Sequence, residues 1–261
     1  MNIVVATSRG KVVKSHLNRL KNNTTCELHS FPGAKLHTLS MEAHKLADKY
    51  KTTDNNLIIY FMGGLPNLTK RLKGKNYEEV IMETENSELV SIIMTEIRTI
   101  HSQFSKSNIK TVFCPVIPSN LEKWNQTRLR QHKTNRLPHS HKYPEMQKLL
   151  QYTVIELNRE ITTFNKQNKL ATPFITTKTI VSLKPNCKIP SPRYKFQYIN
   201  LPDGVHLNEH LGGVVAKKLM KAIITNQTTT TIQTKKLDPT HPVESDEDDE
   251  RVNHSRHWRP Q

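Results

Sequence analysis

Leu57-Ile58-Ile59-Tyr60-Phe61-Met62, followed by Gly63-Gly64-Leu65-Pro66-Asn67, is the stretch on which the fold turns. A strand with one wet face alternates apolar and polar residues. This run does not alternate, as expected for a central strand of a parallel sheet with helices on both faces. The two glycines and Pro66 end it.

The segments on either side repeat the same grammar. Asn2 to Ala6 is a short β-branched run, Thr7-Ser8-Arg9-Gly10 a loop, and Lys11 to Leu20 places Val12, Val13, Leu17 and Leu20 near helical spacing. Thr25 to His29 reads as a second strand ending at Phe31-Pro32-Gly33-Ala34, and a helical pattern runs from Leu39 to Tyr50. Beyond Asn67 a basic loop (Lys70, Arg71, Lys73, Lys75) leads to Ser87–Phe104, where Leu89, Ile93, Ile97, Ile100 and Phe104 share one helical face. Ile109 to Val116 is another buried strand, broken by Pro115 and Pro118. Met146, Leu150, Val154, Leu157, Ile161 and Phe164 mark a long helix with Pro144 near its start; Pro173 to Thr176 is a weak last strand and Leu211 to Ile224 a final helix. Strands alternating with helices predict an α/β fold: a three-layer α/β/α sandwich around a central parallel five-stranded sheet with right-handed crossovers. Loops leaving the carboxyl ends of such strands converge on one edge, where ligands bind. Ser8, Gly33, Gly63 to Asn67 and the loop 201–206 are thereby brought together.

Composition bounds the domain organisation. The 261 residues allow one domain at 1–225, with a basic insertion at about 119–143 and a disordered threonine-rich and acidic tail at 226–261. Net charge is +16, yet residues 238–261 hold seven acids and three arginines, so residues 1–237 carry 36 basic against 16 acidic side chains. A surplus of that size attracts polyanions without a dedicated site, and makes non-specific nucleic acid an expected partner. The insertion supplies Arg128, Arg130, Lys133, Arg136 and Lys142 among His132, His139 and His141, with Trp124 and Tyr143 at its ends. It reads as a solvated basic loop able to touch phosphate. Another long loop, rich in proline and basic residues, spans 177–202. Cys26, Cys114 and Cys187 are odd in number and far apart, which fits neither a disulfide framework nor a zinc module, and no metal or organic cofactor is expected. The chain turns polar straight after Ala6 and has no apolar run of membrane-spanning length. The expectation is an intracellular protein, cytoplasmic or nuclear, with no membrane partner.

The chemistry-bearing stretch is Leu201-Pro202-Asp203-Gly204-Val205-His206-Leu207-Asn208-Glu209-His210. An imidazole acting as general base needs a group that fixes its ring and favours its protonated form, and a carboxylate three residues away supplies both. The other reading is a turn at Asp203-Gly204, an N-cap at Asn208 and a surface histidine at 206.

These blocks resemble the SGNH or GDSL-type hydrolases, small α/β esterases and lipases with a flavodoxin-like layering. Asp203-Gly204-Val205-His206 matches the family's late Asp-x-x-His block in full, Pro32-Gly33-Ala34 resembles the glycine turn after the second strand, and Ile58 to Leu68 resembles the third block. The resemblance implies a Ser8-His206-Asp203 catalytic triad and an oxyanion hole of the Ser8 and Gly33 backbone N–H groups with the Asn67 side chain. A small-molecule or acylated substrate would carry the ester, acyl or acetyl, that is cut. Two blocks depart from the pattern. Ala6-Thr7-Ser8 replaces Gly-Asp-Ser, losing a glycine that permits a tight or positive-φ turn. Gly64-Leu65-Pro66-Asn67-Leu68 has one residue more than Gly-x-Asn-Asp. For Ser8 the alternative role is an N-cap ahead of Lys11, and for Gly33 and Gly63-Gly64 plain turn geometry.

Two functions of different classes follow. One is a serine hydrolase acting on esters through Ser8, His206 and Asp203. The other is a catalytically inactive protein of the same fold, of mobile-element or viral type, that binds nucleic acid through its basic surface. The intact Asp203/His206 pair favours the first, the altered first and third blocks the second. Substrate identity and oligomeric state are not encoded in any of these motifs.

Overall fold

The run from Leu57 to Met62 lies in the middle of a parallel sheet in the computed structural model, which describes residues 1–20, 26–50, 57–74, 77–83, 88–132, 137–173, 178–181, 193–196 and 198–236. Among these residues the sheet has four strands, β1 (Asn2–Ala6), β2 (Cys26–Ser30), β3 (Ile58–Met62) and β6 (Lys110–Phe113), in the order β2-β1-β3-β6 and all parallel. In register, Val4 pairs with Tyr60 and Tyr60 in turn with Val112, while Val5 pairs with Phe61 and Phe61 with Phe113.

This register builds two cores. Ile3, Val5, Ile59, Phe61 and Phe113 point to one face, where they meet α2 (Leu36–Tyr50), α4 (Leu89–Ser105) and α6 (Tyr143–Gln167). Val4, Ala6, Ile58, Tyr60, Met62 and Val112 point to the other, beneath α1 (Gly10–Arg19) and α7 (Glu209–Lys236). Each large side chain buried this way contributes about 1.5–3 kcal/mol, so a strand apolar on both sides is used twice over. The doubly covered sheet read from the sequence is present.

The expected fifth strand, Pro173 to Thr176, falls almost wholly outside the described residues, and Pro173 itself is irregular. On the outer side of β6, asparagines of α6 bond the backbone. Asn165 Oδ1 accepts from Phe113 N at 3.2 Å while its Nδ2 donates to Phe113 O at 2.8 Å, and Asn158 does the same at Val116 with 2.6 and 2.8 Å. A carboxamide presents the same acceptor and donor as a neighbouring peptide, so these side chains satisfy the backbone groups of Phe113 and Val116.

Three stretches differ from expectation. The basic loop after Asn67 is a hairpin, β4 (Thr69–Gly74) antiparallel to β5 (Tyr77–Met82), following a single turn α3 (Leu65–Leu68). The basic insertion is mostly helix: α5 (Leu121–His132) buries Leu121 and Asn125, and the Asn125 carboxamide brackets Val80 of β5 with two 2.7 Å bonds. Arg128, expected in a solvated loop, donates to Glu78, which Arg71 also approaches at 3.1 Å. Lys133 and Arg136 lie outside the described residues.

The C-terminal side also departs. β7 (Lys178–Val181) and β8 (Arg193–Phe196) pair within the segment expected to be loop. The helix α7 runs through Thr228–Thr231 to Lys236, across the first eleven residues of the stretch 226–261 expected to be a disordered tail. Asn226 explains part of this: buried, it brackets Ala171 (2.6 and 3.1 Å) and bonds the Tyr60 hydroxyl at 3.1 Å, which fixes a further turn onto the core. Residues 237–261, with the acidic run, lie outside the described part. Among the described residues no helix is long and apolar enough to cross a membrane.

Candidate active site at the carboxyl edge of the sheet

The β1 strand ends at Ala6, and Thr7 N extends its pairing by one residue to Met62 O at 3.1 Å. The chain then turns at once into α1, with Gly10 N bonded to Thr7 O (2.9 Å) and Lys11 N to Ser8 O (3.3 Å). Glycine is needed at position 10, since a Cβ there would stand 2.5 Å from the Ala6 Cβ and 2.6 Å from Ser30 Oγ. Ala6, where the resembling family has glycine, is ordinary strand, and Phe31 N donates to its carbonyl at 2.7 Å. The close approach that the family's glycine would allow at position 6 is met here by Gly10, four residues on.

Ser8 is partly exposed in this turn. It does not cap α1 with its side chain: the cap position is Arg9 and carries no side-chain cap bond. Among the described residues the Ser8 hydroxyl makes no hydrogen bond, to His206 or otherwise, and the backbone N–H groups of Ser8 and Gly33 are likewise unengaged.

Arg9, which the sequence reading passed over as loop, is 6% exposed. Its Nε donates to Val205 O at 2.9 Å, one terminal nitrogen donates to Ile117 O, and the other to Ser119 Oγ at 2.5 Å. The residue after Ser8 is thus bonded to the residue before His206 and to the segment leaving β6. Burial pushes the guanidinium down to about 10, against the pull of the Asp203 charge, so it stays charged at neutral pH. A lone arginine between a buried strand and an apolar helix was the only available signal for it.

The loop 201–208 presents the other pair. His206 Nδ1 meets Asp203 Oδ2 at 2.5 Å, while Asp203 Oδ1 accepts from His206 N (2.7 Å) and Val205 N (3.0 Å). With Nδ1 engaged as donor, Nε2 is the ring atom left for a nucleophile. Burial works to raise the Asp203 carboxyl, but the His206 ring, the two backbone N–H groups and the His206 charge outweigh it and hold it below the usual carboxylate range. The His206 side chain is 48% exposed, open to an incoming ligand. Gly204 makes the turn at φ +84°, and a Cβ there would lie 2.5 Å from Asn120 O and 2.7 Å from Trp124 N. The start of α5 presses directly on the loop 201–208, and Asn120 N donates to Gly204 O at 2.8 Å. Asn208 caps α7 as expected, its Oδ1 accepting from Leu211 N at 2.9 Å.

Gly33 turns at φ +73° on an exposed corner, with nothing within 4 Å of a would-be Cβ. Asn67 is more committed. Its Oδ1 accepts from Leu36 N at 3.0 Å, the first residue of α2, and its Nδ2 donates to Glu96 Oε2 at 3.0 Å, leaving one amide hydrogen. Burial raises the Glu96 carboxyl, against the opposing pull of the His37 backbone N–H, the charges of His37 and Lys35, and Asn67. Asn67 and Glu96 together cap α2 from outside it; the sequence held no sign of this, since Glu96 lies mid-helix in α4 and meets Asn67 only in the fold.

Comparison with solved structures gives the same architecture. A GDSL-like lipase from Bacteroides thetaiotaomicron superposes with a TM-score of 0.50 at 12% identity, over 86% of this chain and 87% of that one. An assigned acylhydrolase from Bacteroides fragilis gives 0.53 at 10% identity, over 86% of both chains. The chain therefore has the fold of SGNH/GDSL-type hydrolases. No family model and no curated protein matches the sequence.

Proposed function

We propose that the chain is a serine hydrolase of the SGNH/GDSL type that cleaves acyl or acetyl esters through Ser8, His206 and Asp203. The observation that carries this reading is the pairing of His206 Nδ1 with Asp203 on a loop tied through Arg9 to the residue beside Ser8. In the reaction Ser8 Oγ attacks the ester carbonyl carbon while His206 Nε2 takes its proton. The oxyanion is held by the N–H groups of Ser8 and Gly33 and by the remaining amide hydrogen of Asn67. The intermediate collapses, breaking the bond to the alcohol oxygen, which leaves with the proton from His206. Water, activated by the same imidazole, then releases the acid and restores Ser8. Asp203 stays ionised throughout and stabilises the imidazolium. No metal takes part in these steps. Turnover of a short-chain activated ester that disappears in Ser8→Ala is the expected result; turnover that survives the substitution ends the proposal.

A second reading has one observation in its favour. The α1 helix contains no acid and α7 only Glu209, while Lys11, Lys14, Arg19, Lys217, Lys218 and Lys221 are exposed on these two packed helices. The helices on the opposite face mix both signs. A one-sign surface suits a phosphate backbone, and on this reading the fold is an inactive hydrolase scaffold that binds nucleic acid without sequence preference. Binding should weaken steeply with salt and fall in a Lys217→Glu, Lys218→Glu, Lys221→Glu variant. Salt-independent or absent binding removes the reading.

A further inference from the structure

We propose that Arg9 is the positioning residue of the triad, the group that sets the separation between Ser8 and His206; the inference rests on the serine-hydrolase reading above. Ser8 and His206 lie on loops from opposite ends of the chain, and neither side chain bonds the other. Something else must fix their distance. Below Ser8 the turn rests on Gly10 against β1, which fixes where the serine backbone starts but not where the imidazole stands. The exposed His16–Glu209 pair joins α1 to α7 at 2.8 Å, but Glu209 is 77% exposed, and such a pair holds little.

Arg9 differs in every respect. It is buried, and its flat guanidinium directs donors at fixed angles to three acceptors on two pieces of chain: Val205 of the triad loop, and Ile117 and Ser119 of the segment leaving β6. Three fixed directions locate a point, so the peptide between Val205 and His206 is held relative to both β1 and β6. The charge contributes as well. Arg9 feels the Asp203 carboxylate, whose charge favours the charged guanidinium. A lysine could supply the charge and donors from a single nitrogen, but not the fixed planar fork that reaches all three acceptors.

The test uses the full chain with p-nitrophenyl acetate, a fluorophosphonate probe of Ser8, and NMR of the histidine rings. Arg9→Lys should lower kcat by about 10- to 100-fold with KM within twofold, the loss expected when reacting groups shift by about 1 Å. Probe labelling of Ser8 should slow in parallel, and the His206 ring signals should move while those of His44 and His101 stay. Ser119→Ala, which removes one of the three acceptors, should show a smaller loss in the same parameter. A folded Arg9→Lys with wild-type kcat and an unchanged His206 spectrum overturns the proposal. If Arg9→Lys does not fold, Ser119→Ala decides, and wild-type kcat with an unmoved His206 signal overturns it equally. Should the wild type neither hydrolyse the ester nor take the probe, the hydrolase reading fails on its own account, and the His206 spectrum still judges whether Arg9 holds that loop.

Discussion

Asp203 holds His206 from two directions at once, its Oδ2 on the ring Nδ1 at 2.5 Å and its Oδ1 on the backbone N–H at 2.7 Å. The two oxygens have separable duties, one aligning the imidazole and the other shaping the turn. Asp203→Asn keeps an acceptor for the turn and loses the charge beside the ring. Ester hydrolysis should fall by roughly 10³- to 10⁴-fold while the fold persists.

The same carboxylate gives a pH dependence with a definite sign. Its pKa in the fold is depressed, so its stabilising contribution is present above the unfolded value of about 3.9 and is lost as pH falls through the lower folded value. The Tm of the wild type should exceed that of Asp203→Asn at pH 6–7, and the gap should close as pH drops below about 4. Melting curves of both proteins from pH 7 to 3 measure this; a gap that widens toward acid contradicts the assignment.

Gly204 and Gly33 both adopt positive φ, but only Gly204 is packed. Gly33→Ala should cost about 1 kcal/mol, the strain of a left-handed residue with open space around it. Gly204→Ala adds a collision with Asn120 O at 2.5 Å and Trp124 N at 2.7 Å, both backbone atoms, so α5 or the loop 201–208 must move. Its loss of stability in urea should exceed that of Gly33→Ala, and it should lower activity by displacing His206. Equal midpoints for the two variants would mean that the α5 contact carries no energy.

How much of this was legible follows from the range of the interactions concerned. The doubly apolar run 57–62, the helical faces of α4 and α6, and the Asn208 cap are encoded within a few residues of themselves, and periodicity reads them directly. Asp203 and His206 were visible because both members of the pair sit in one turn. The β4–β5 hairpin was hidden by its lysines, which lie on a strand pair whose partner, Glu78, is also charged. The four-stranded sheet, the Arg9 fork and the Asn67–Glu96 cap all join residues far apart in the chain. Asn165 gives no local sign that it bonds the backbone at Phe113, because an asparagine in an amphipathic helix is ordinarily solvated.

Asn67 tests whether one side chain serves both fold and chemistry. Asn67→Ala leaves Leu36 N without its acceptor and takes from Glu96 one of its donors, which should cost about 1–2 kcal/mol, as for loss of a helix cap. If its remaining amide hydrogen also holds the oxyanion, kcat should fall on the order of 100-fold at a temperature where the variant is fully folded. Loss of stability with kcat intact would confine Asn67 to capping α2.

Glu96 lies under that cap, and its pH behaviour has the opposite sign to that of Asp203. Burial raises its pKa above the unfolded value of about 4.3, and the His37 N–H, the nearby His37 and Lys35 charges and Asn67 only partly offset this. A raised carboxyl pKa contributes stability that is fully present below the unfolded value and lost as pH rises through the folded one. The ionised form is the disfavoured one, and Glu96→Gln removes it while keeping an acceptor for the cap. Relative to the wild type, the Gln variant should therefore gain Tm as pH rises from about 4, and the gain should level off once Glu96 has ionised in the fold. A difference in Tm that stays constant through that rise would show that Glu96 titrates as it does in the unfolded chain, and that the cap tolerates its charge without cost.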